Sequence, residues 1–293
     1  MDSNHWAEDQ FDDGNGRFNA YRSNYNSHEH FGVTKERVKL INHKLAVALF
    51  TLRDVLPNRL PEGLKRLKEM GCVGVETGDY FGYTVEEIAE MLKETGMKMV
   101  SLHRSLEDFS DPECWERIVK DARLLQTEIL VFPGTGPDFT VERYKKHKEL
   151  LDATIVKAAE NGFRIIMHNH NWEVNTQIDG SNGLDYLLGH GKEDSKALAE
   201  FDIYWLAKGG QDPLAFISKY PNRAPILHMK DMTGDERGTY AEVGNGIIDV
   251  PAIIAWGEKN GVEWYMVEQD ECPGNPWDSV QMSLEYLQGL KLK

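Results

Sequence analysis

From Lys44 onward, short apolar and β-branched runs alternate with amphipathic stretches of helical period, and glycine often marks the return from helix to strand. Eight runs have the length and make-up of buried strands: 45–50 (LAVALF), 72–76 (CVGVE), 97–103 (MKMVSLH), 128–133 (EILVFP), 163–168 (FRIIMH), 199–204 (AEFDIY), 224–229 (APILHM) and 262–268 (VEWYMVE). They start about thirty residues apart, room for one strand, one helix and two loops. Helix signals fall between them. Thr84 and Glu87 make a capping box ahead of Val85, Ile88, Ala89 and Leu92. Thr140 starts a helix that carries Val141, Tyr144, Leu151 and Ile155 and stops at Asn161-Gly162. Asp249 and Pro251 open another that ends at Asn260-Gly261, and Gly71 and Gly96 close two more. Eight strand-helix units predict a (β/α)8 TIM barrel over 44–293. A doubly wound open sheet lacks its glycine-rich phosphate loop, because Ala48-Leu49-Phe50-Thr51-Leu52-Arg53 stands after the first strand.

Residues 1–43 follow neither period. Six asparagines and scattered aromatics (Trp6, Phe11, Phe18, Tyr21, Tyr25, Phe31) predict an irregular N-terminal extension, with a short helix over 34–42 before the first strand. Its aromatics leave open an arm that lids a pocket or joins a partner.

Composition narrows the function classes. Thirty-three Lys and Arg against 48 Asp and Glu leave a net charge of -15. That argues against nucleic acid and anionic membranes as partners, since both demand clustered cations. No apolar run approaches the roughly 20 residues of a spanning helix. The start Met1-Asp2-Ser3-Asn4-His5-Trp6 lacks the pattern of a secretory signal, so a cytoplasmic location is expected. Cys72, Cys114 and Cys272 have no CxxC spacing, which disfavours a disulfide framework or a thiolate metal site.

The chemistry lies where the strands end, because barrel active sites form at the C-terminal ends of the strands. Strand 2 ends in Glu76, strand 3 in His103, and strand 5 runs into His168-Asn169-His170-Asn171-Trp172-Glu173. Strand 6 carries Asp202 followed by Trp205, strand 7 ends His228-Met229-Lys230-Asp231, and strand 8 ends Glu268-Gln269-Asp270-Glu271. Carboxylates converging on one mouth repel, and a divalent cation resolves the repulsion. Asp202, His228, Glu268 and one group from strand 5 form the expected ligand set. Glu173 supplies an anionic oxygen for the fourth place, and His168, closer to the strand, competes for it. Three carboxylates with one imidazole favour Mn2+, with Mg2+, Co2+ or Zn2+ also suited. The non-metal alternative has His228, Lys230 and Asp231 in a salt-bridged loop and Asp202 capping the next helix.

These residues, in this order, resemble the xylose isomerase-like barrel superfamily in its sugar phosphate isomerase/epimerase branch. The carriers are Leu52-Arg53-Asp54, Gly74-Val75-Glu76, His168-Asn169-His170 with Glu173, Asp202-Ile203-Tyr204-Trp205, His228-Met229-Lys230-Asp231, Val243-Gly244-Asn245-Gly246 with Ile248-Asp249, and Val267-Glu268-Gln269-Asp270. The resemblance covers 44–290. It implies a metal held at Asp202, His228 and Glu268, with a fourth ligand from strand 5. The first strand departs from the branch's usual Gln-Leu-Tyr-Ser-Leu-Arg-Asp, and the missing Gln implies a different substrate. A cation that chelates two vicinal sugar oxygens acidifies the adjacent C–H and gives an enediolate, from which the reaction divides. Reprotonation is isomerisation or epimerisation, and expulsion of a β-substituent is dehydration or lyase cleavage. The branch's epimerases pair two glutamates, whereas strand 5 here offers His170 as base. That favours β-elimination on a keto-sugar, keto-glycoside or keto-inositol, as in the resembling inosose dehydratases and 3-keto-glycoside lyases. Similar C-glycoside-cleaving enzymes work with a smaller second subunit, so such a partner or a homo-oligomer is open here.

Lys230 is expected as acid or oxyanion partner, or else as an ion pair with Asp231. Trp205 and Phe50 can stack on a sugar face, while Glu76, His103 and, if not a ligand, His168 can bind its hydroxyls. Arg53, Arg104 and Arg123 are too scattered for a phosphate pocket, which favours an unphosphorylated sugar. A non-catalytic carbohydrate-binding barrel is the alternative from another class, and the three-zinc endonuclease relatives are disfavoured by the acid excess.

Overall fold

The computed structural model describes residues 41–138, 140–192 and 195–291. The extension over 1–43 and the helix over 34–42 therefore lie, apart from 41–43, outside the described residues. Eight parallel strands close into a barrel: β1 (Leu45–Ala48), β2 (Gly74–Thr77), β3 (Lys98–His103), β4 (Ile129–Phe132), β5 (Arg164–His168), β6 (Leu198–Asp202), β7 (Ile226–Met229) and β8 (Trp264–Val267). β8 closes on β1 with Ala46 opposite Met266. Each strand overlaps its predicted run. Helices alternate with them: α1 (Leu60–Glu69), α2 (Val85–Thr95), α3 (Leu106–Ser110), α4 (Pro112–Leu124), α5 (Val141–Glu160), α6 (Asn171–Asn175), α7 (Gly183–Leu188), α8 (Ile203–Lys208), α9 (Pro213–Ile217), α10 (Val250–Gly257) and α11 (Pro276–Gly289).

Local chemistry sets these boundaries. The Thr84/Glu87 capping box opens α2, and Gly96 ends it in the left-handed region at φ 63°. Thr140 accepts from the Arg143 amide at the start of α5, and Asp249 from the Ala252 amide at the start of α10. Two predicted strands stop early for the same kind of reason. Leu49–Leu52 coil into a 3-10 turn after Ala48, and Ile203 and Tyr204 enter α8 because Asp202 caps it.

The core forms two layers. Ala46, Ala48, Val100, Ile129, Val131, Ile166, Ile226 and Met266 fill the barrel interior, while the outward strand positions pack beneath the helices. β3 contains the irregularity that matters. Val75 pairs with Met99 but Glu76 pairs with Ser101, so Val100 is an extra residue. Simple alternation from Val100 would send His103 outward. The bulge re-aims Ser101 and His103 into the barrel and Leu102 into the outer core.

Candidate functional site

Inward alternation stacks polar residues directly above the apolar interior. Glu76 follows Gly74 on β2, His168 follows Ile166 on β5, and Glu200 and Asp202 share one face of β6. His228 and then Lys230 follow Ile226, and Glu268 and then Asp270 follow Met266. Glu200, Asp202 and His228 are fully buried, and Glu76, His168, Lys230 and Glu268 nearly so. Charged side chains at that depth persist only when paired or ligating.

Two overlapping groups result, each with donor atoms within 4.8 Å of one another: Glu76, His103, Glu200 and His228, and His168, Asp202, His228 and Glu268. His228 belongs to both. Its Nδ1 lies 2.8 Å from Glu268 Oε2 and its Nε2 lies 3.0 Å from Glu76 Oε1. The Lys230 ammonium sits 2.8 Å from Asp202 Oδ2, 2.7 Å from Glu268 Oε2 and 2.6 Å from Asp270 Oδ2.

Electrostatics follow from this crowding. Burial alone would lower the His103 pKa, yet the Glu76 and Glu200 charges outweigh it and hold the ring up to about 10. Burial likewise opposes the charged forms of His228 and Lys230, but the surrounding carboxylates keep both well above their ordinary values. Glu76 and Glu268 sit well below the usual carboxylate range: their desolvation is overcome by His103 and His228 for Glu76, and by Lys230 and His228 for Glu268. Asp270 is pushed up by burial and by the Glu268 and Asp202 charges, against the pull of Lys230.

Strand 5 offers two candidates for the fourth ligand place, Glu173 and His168. Glu173 was the expected ligand, but its carboxylate lies outside both groups because its oxygens are spent elsewhere. One accepts from the Thr135 amide and hydroxyl, the other from the His170 amide at 2.7 Å. It braces the start of α6, and burial lifts its pKa to about 7. His168, the competing candidate for that place and otherwise expected to bind substrate hydroxyls, falls within the second group: its Nε2 lies 3.6 Å from Asp202 Oδ2. Neither atom has a hydrogen-bond partner, although both are buried. Asp202 does cap α8, its Oδ1 accepting from the Trp205 amide at 3.0 Å, which leaves Oδ2 facing the mouth. A buried imidazole nitrogen without a hydrogen bond and a carboxylate oxygen facing the mouth, beside His228 and Glu268, suit a divalent cation of the Mn2+ or Zn2+ kind. The Lys230 ammonium now neutralises two of the same oxygens.

Lys230 does not pair with Asp231. Asp231 instead pins the loop after β7, accepting from the amides of Met232, Gly244, Gly246 and Ile248 at 2.8, 3.0, 3.1 and 3.0 Å. His170, Trp172 and Trp205 form one aromatic wall. The His170 ring stacks on Trp172 at 4.3 Å and lies 5.4 Å from Trp205, and Lys230 Nζ is 5.8 Å from the Trp205 ring. His170 Nδ1 and Trp205 Nε1 are buried without hydrogen-bond partners. Burial, then the charges of His168 and Lys230, drives the His170 pKa down to about 2, so the ring is neutral. Phe50 is half-exposed beneath Arg53, whose guanidinium lies 4.2 Å over its ring. Sequence reasoning passed over Glu200 and left Asp270 without a role. Glu200 stands two residues before Asp202, a spacing that puts both on one face of a strand, and that signal was available.

A family model described as xylose isomerase-like TIM barrel matches residues 64–290. The inosose dehydratase of Clostridium beijerinckii is 25% identical over 168 residues, 51% of this chain and 55% of that protein. The chain thus spans about half the length of the first curated relatives it matches. The inosose dehydratase of Yersinia enterocolitica aligns more fully, at 23% identity over 87% of this chain and 98% of that protein. A sugar phosphate isomerase/epimerase from Parabacteroides distasonis superposes with a TM-score of 0.71 at 22% identity, over 86% of this chain and 96% of the other. With eight strands closed in order and the family's match running from α1 to the end of α11, the chain belongs to the xylose isomerase-like TIM barrel family.

Proposed function

We propose that this protein is a divalent-cation-dependent enzyme that removes a β-substituent from a keto-sugar, keto-glycoside or keto-inositol, with the cation held by His168, Asp202, His228 and Glu268. One observation carries the reading: a buried His170 nitrogen without a hydrogen-bond partner lies beside Trp205, which Lys230 Nζ approaches at 5.8 Å, with the His170 ring 4.9 Å from that of His168. The relatives named inosose dehydratase support dehydration over other outcomes. When bound, the cation supplies charge that polarises the substrate carbonyl and acidifies the neighbouring C–H.

The chain's own residues do the rest. Trp172 and Trp205 offer apolar faces on which a sugar ring stacks. His170, kept neutral, takes the proton at Nδ1, and stacking on Trp172 fixes its aim. Lys230, anchored at 2.6 Å by Asp270, holds a proton at Nζ for the departing hydroxyl or alkoxide. Glu173 sets the turn that carries His170, since its carboxylate accepts the His170 amide. The same groups would serve an isomerase or epimerase if the proton returned to carbon before the substituent left.

Incubation with keto-inositols and 3-keto-glucosides in deuterated solvent separates the two. Elimination predicts loss of water or aglycone at the rate substrate is consumed. Deuterium incorporation with the substituent retained would refute elimination and favour the epimerase.

A further inference from the structure

A second cluster lies beside the group of His168, Asp202, His228 and Glu268. Glu76, His103, Glu200 and His228 alternate carboxylate and imidazole around a ring: His103 Nε2 lies 2.9 Å from Glu76 Oε1 and 3.0 Å from Glu200 Oε2, and His228 Nε2 lies 3.0 and 3.3 Å from the same two oxygens. Such separations ordinarily mean hydrogen bonds, yet of the four contacts only His228 with Glu76 has the angles of one. His103 Nε2 and both Glu200 oxygens are buried with no hydrogen-bond partner. The four ligand atoms nonetheless lie within 4.8 Å of one another, close enough to share one ion.

We propose that this cluster is a second divalent-cation site, with Glu76, His103, Glu200 and His228 as its ligands. Metal–ligand bonds of about 2.0–2.2 Å put ligand atoms about 3 Å apart at right angles and about 3.4 Å apart in a tetrahedron. The four contacts span that range closely. Glu200 is fully buried, and a carboxylate at that depth without hydrogen bonds is stabilised only by charge. Ser101 binds the other oxygen of Glu76 and so fixes Oε1 toward the cage, an outer-sphere role that the β3 bulge makes available. His103 retains 32% side-chain exposure, which gives an ion a path from the mouth. Two imidazoles with two carboxylates suit a borderline cation, Zn2+ before Mg2+ or Ca2+. His228 presents Nε2 here and Nδ1 to Glu268 of the other group, so a single ring links the two. The inference stands on these four side chains and is independent of the reaction proposed above.

The test is a metal count. Protein stripped with chelator, reloaded with Zn2+ and dialysed is expected to carry two ions per chain, and one after Glu200→Gln or His103→Asn. Asp202→Asn removes the other ion and keeps this one. Titration with Co2+, followed by its visible absorption, is expected to show two binding phases in the wild type and one in His103→Asn. His103 is partly exposed, so this variant keeps the test decisive even if Glu200→Gln fails to fold. A single Zn2+ in the wild type that disappears with Asp202→Asn, or two ions retained in both cage variants, overturns the second site. Either result leaves the elimination chemistry standing.

Discussion

Replacing Lys230 by methionine is expected to destabilise the metal-free protein by about 3–5 kcal/mol, the range for removing one partner from a buried ion pair. The side chain keeps its length, so little packing is lost. Its charge is another matter: the ammonium faces Asp202, Glu268 and Asp270 at 2.6–2.8 Å, and it is 1% exposed. Without it three carboxylates crowd one water-poor mouth, where like charges repel far more strongly than at the surface. The same physics predicts the remedy. A divalent cation that binds the native variant stabilises it, by about 2.7 kcal/mol at a hundredfold excess over its dissociation constant. Urea unfolding of wild type and Lys230→Met, each with and without Mn2+, measures both effects. The variant is expected to lose stability without metal and to gain more from Mn2+ than the wild type does. A variant as stable as wild type in metal-free buffer would remove Lys230 from the charge balance of the mouth.

The second large effect is kinetic. His170→Asn is expected to lower kcat by about 10²–10⁴, the usual contribution of a positioned acid or base. KM should move far less, because the stacking faces of Trp172 and Trp205 remain. Mn2+ binding should be unchanged, since His170 belongs to neither group of converging donors among the described residues. Steady-state kinetics on a keto-inositol, paired with a metal count, reads all three quantities. Wild-type kcat would end His170's role as base. Loss of the metal would instead make it a ligand.

Much of this was written in the sequence in a form physics can read. Strands covered on both faces appear as apolar runs, and all eight fall where the runs lie. Their ends were harder to place, because a cap decides them: Asp202 ends β6 by accepting from the Trp205 amide, which no hydropathy pattern announces. Six polar strand ends pointed to the mouth, and Asp202, His228 and Glu268 do converge there. Chemical type alone could not choose between Glu173 and His168, because partners decide; Thr135, nearly forty residues away, claims one of the Glu173 oxygens. His103 reaches the barrel interior only through the extra residue Val100, and a bulge leaves no mark in composition. Glu200 was hidden between hydrophobic neighbours, although its two-residue spacing from Asp202 marked a shared face. Asp231 looked like a counter-ion for Lys230, yet it ties down the Gly244–Ile248 loop, a task set by backbone amides that sequence does not display.

On the proposed function, His168, Asp202, His228 and Glu268 hold a divalent cation at the mouth of the barrel. The most direct test is Mn2+ binding to metal-stripped wild type, Asp202→Asn and Glu173→Gln, counted by electron paramagnetic resonance of the free ion. Wild type is expected to bind Mn2+, Asp202→Asn to bind at least one ion fewer, and Glu173→Gln to match wild type. No bound Mn2+ in the wild type, or an undiminished count in Asp202→Asn, would contradict that ligand set.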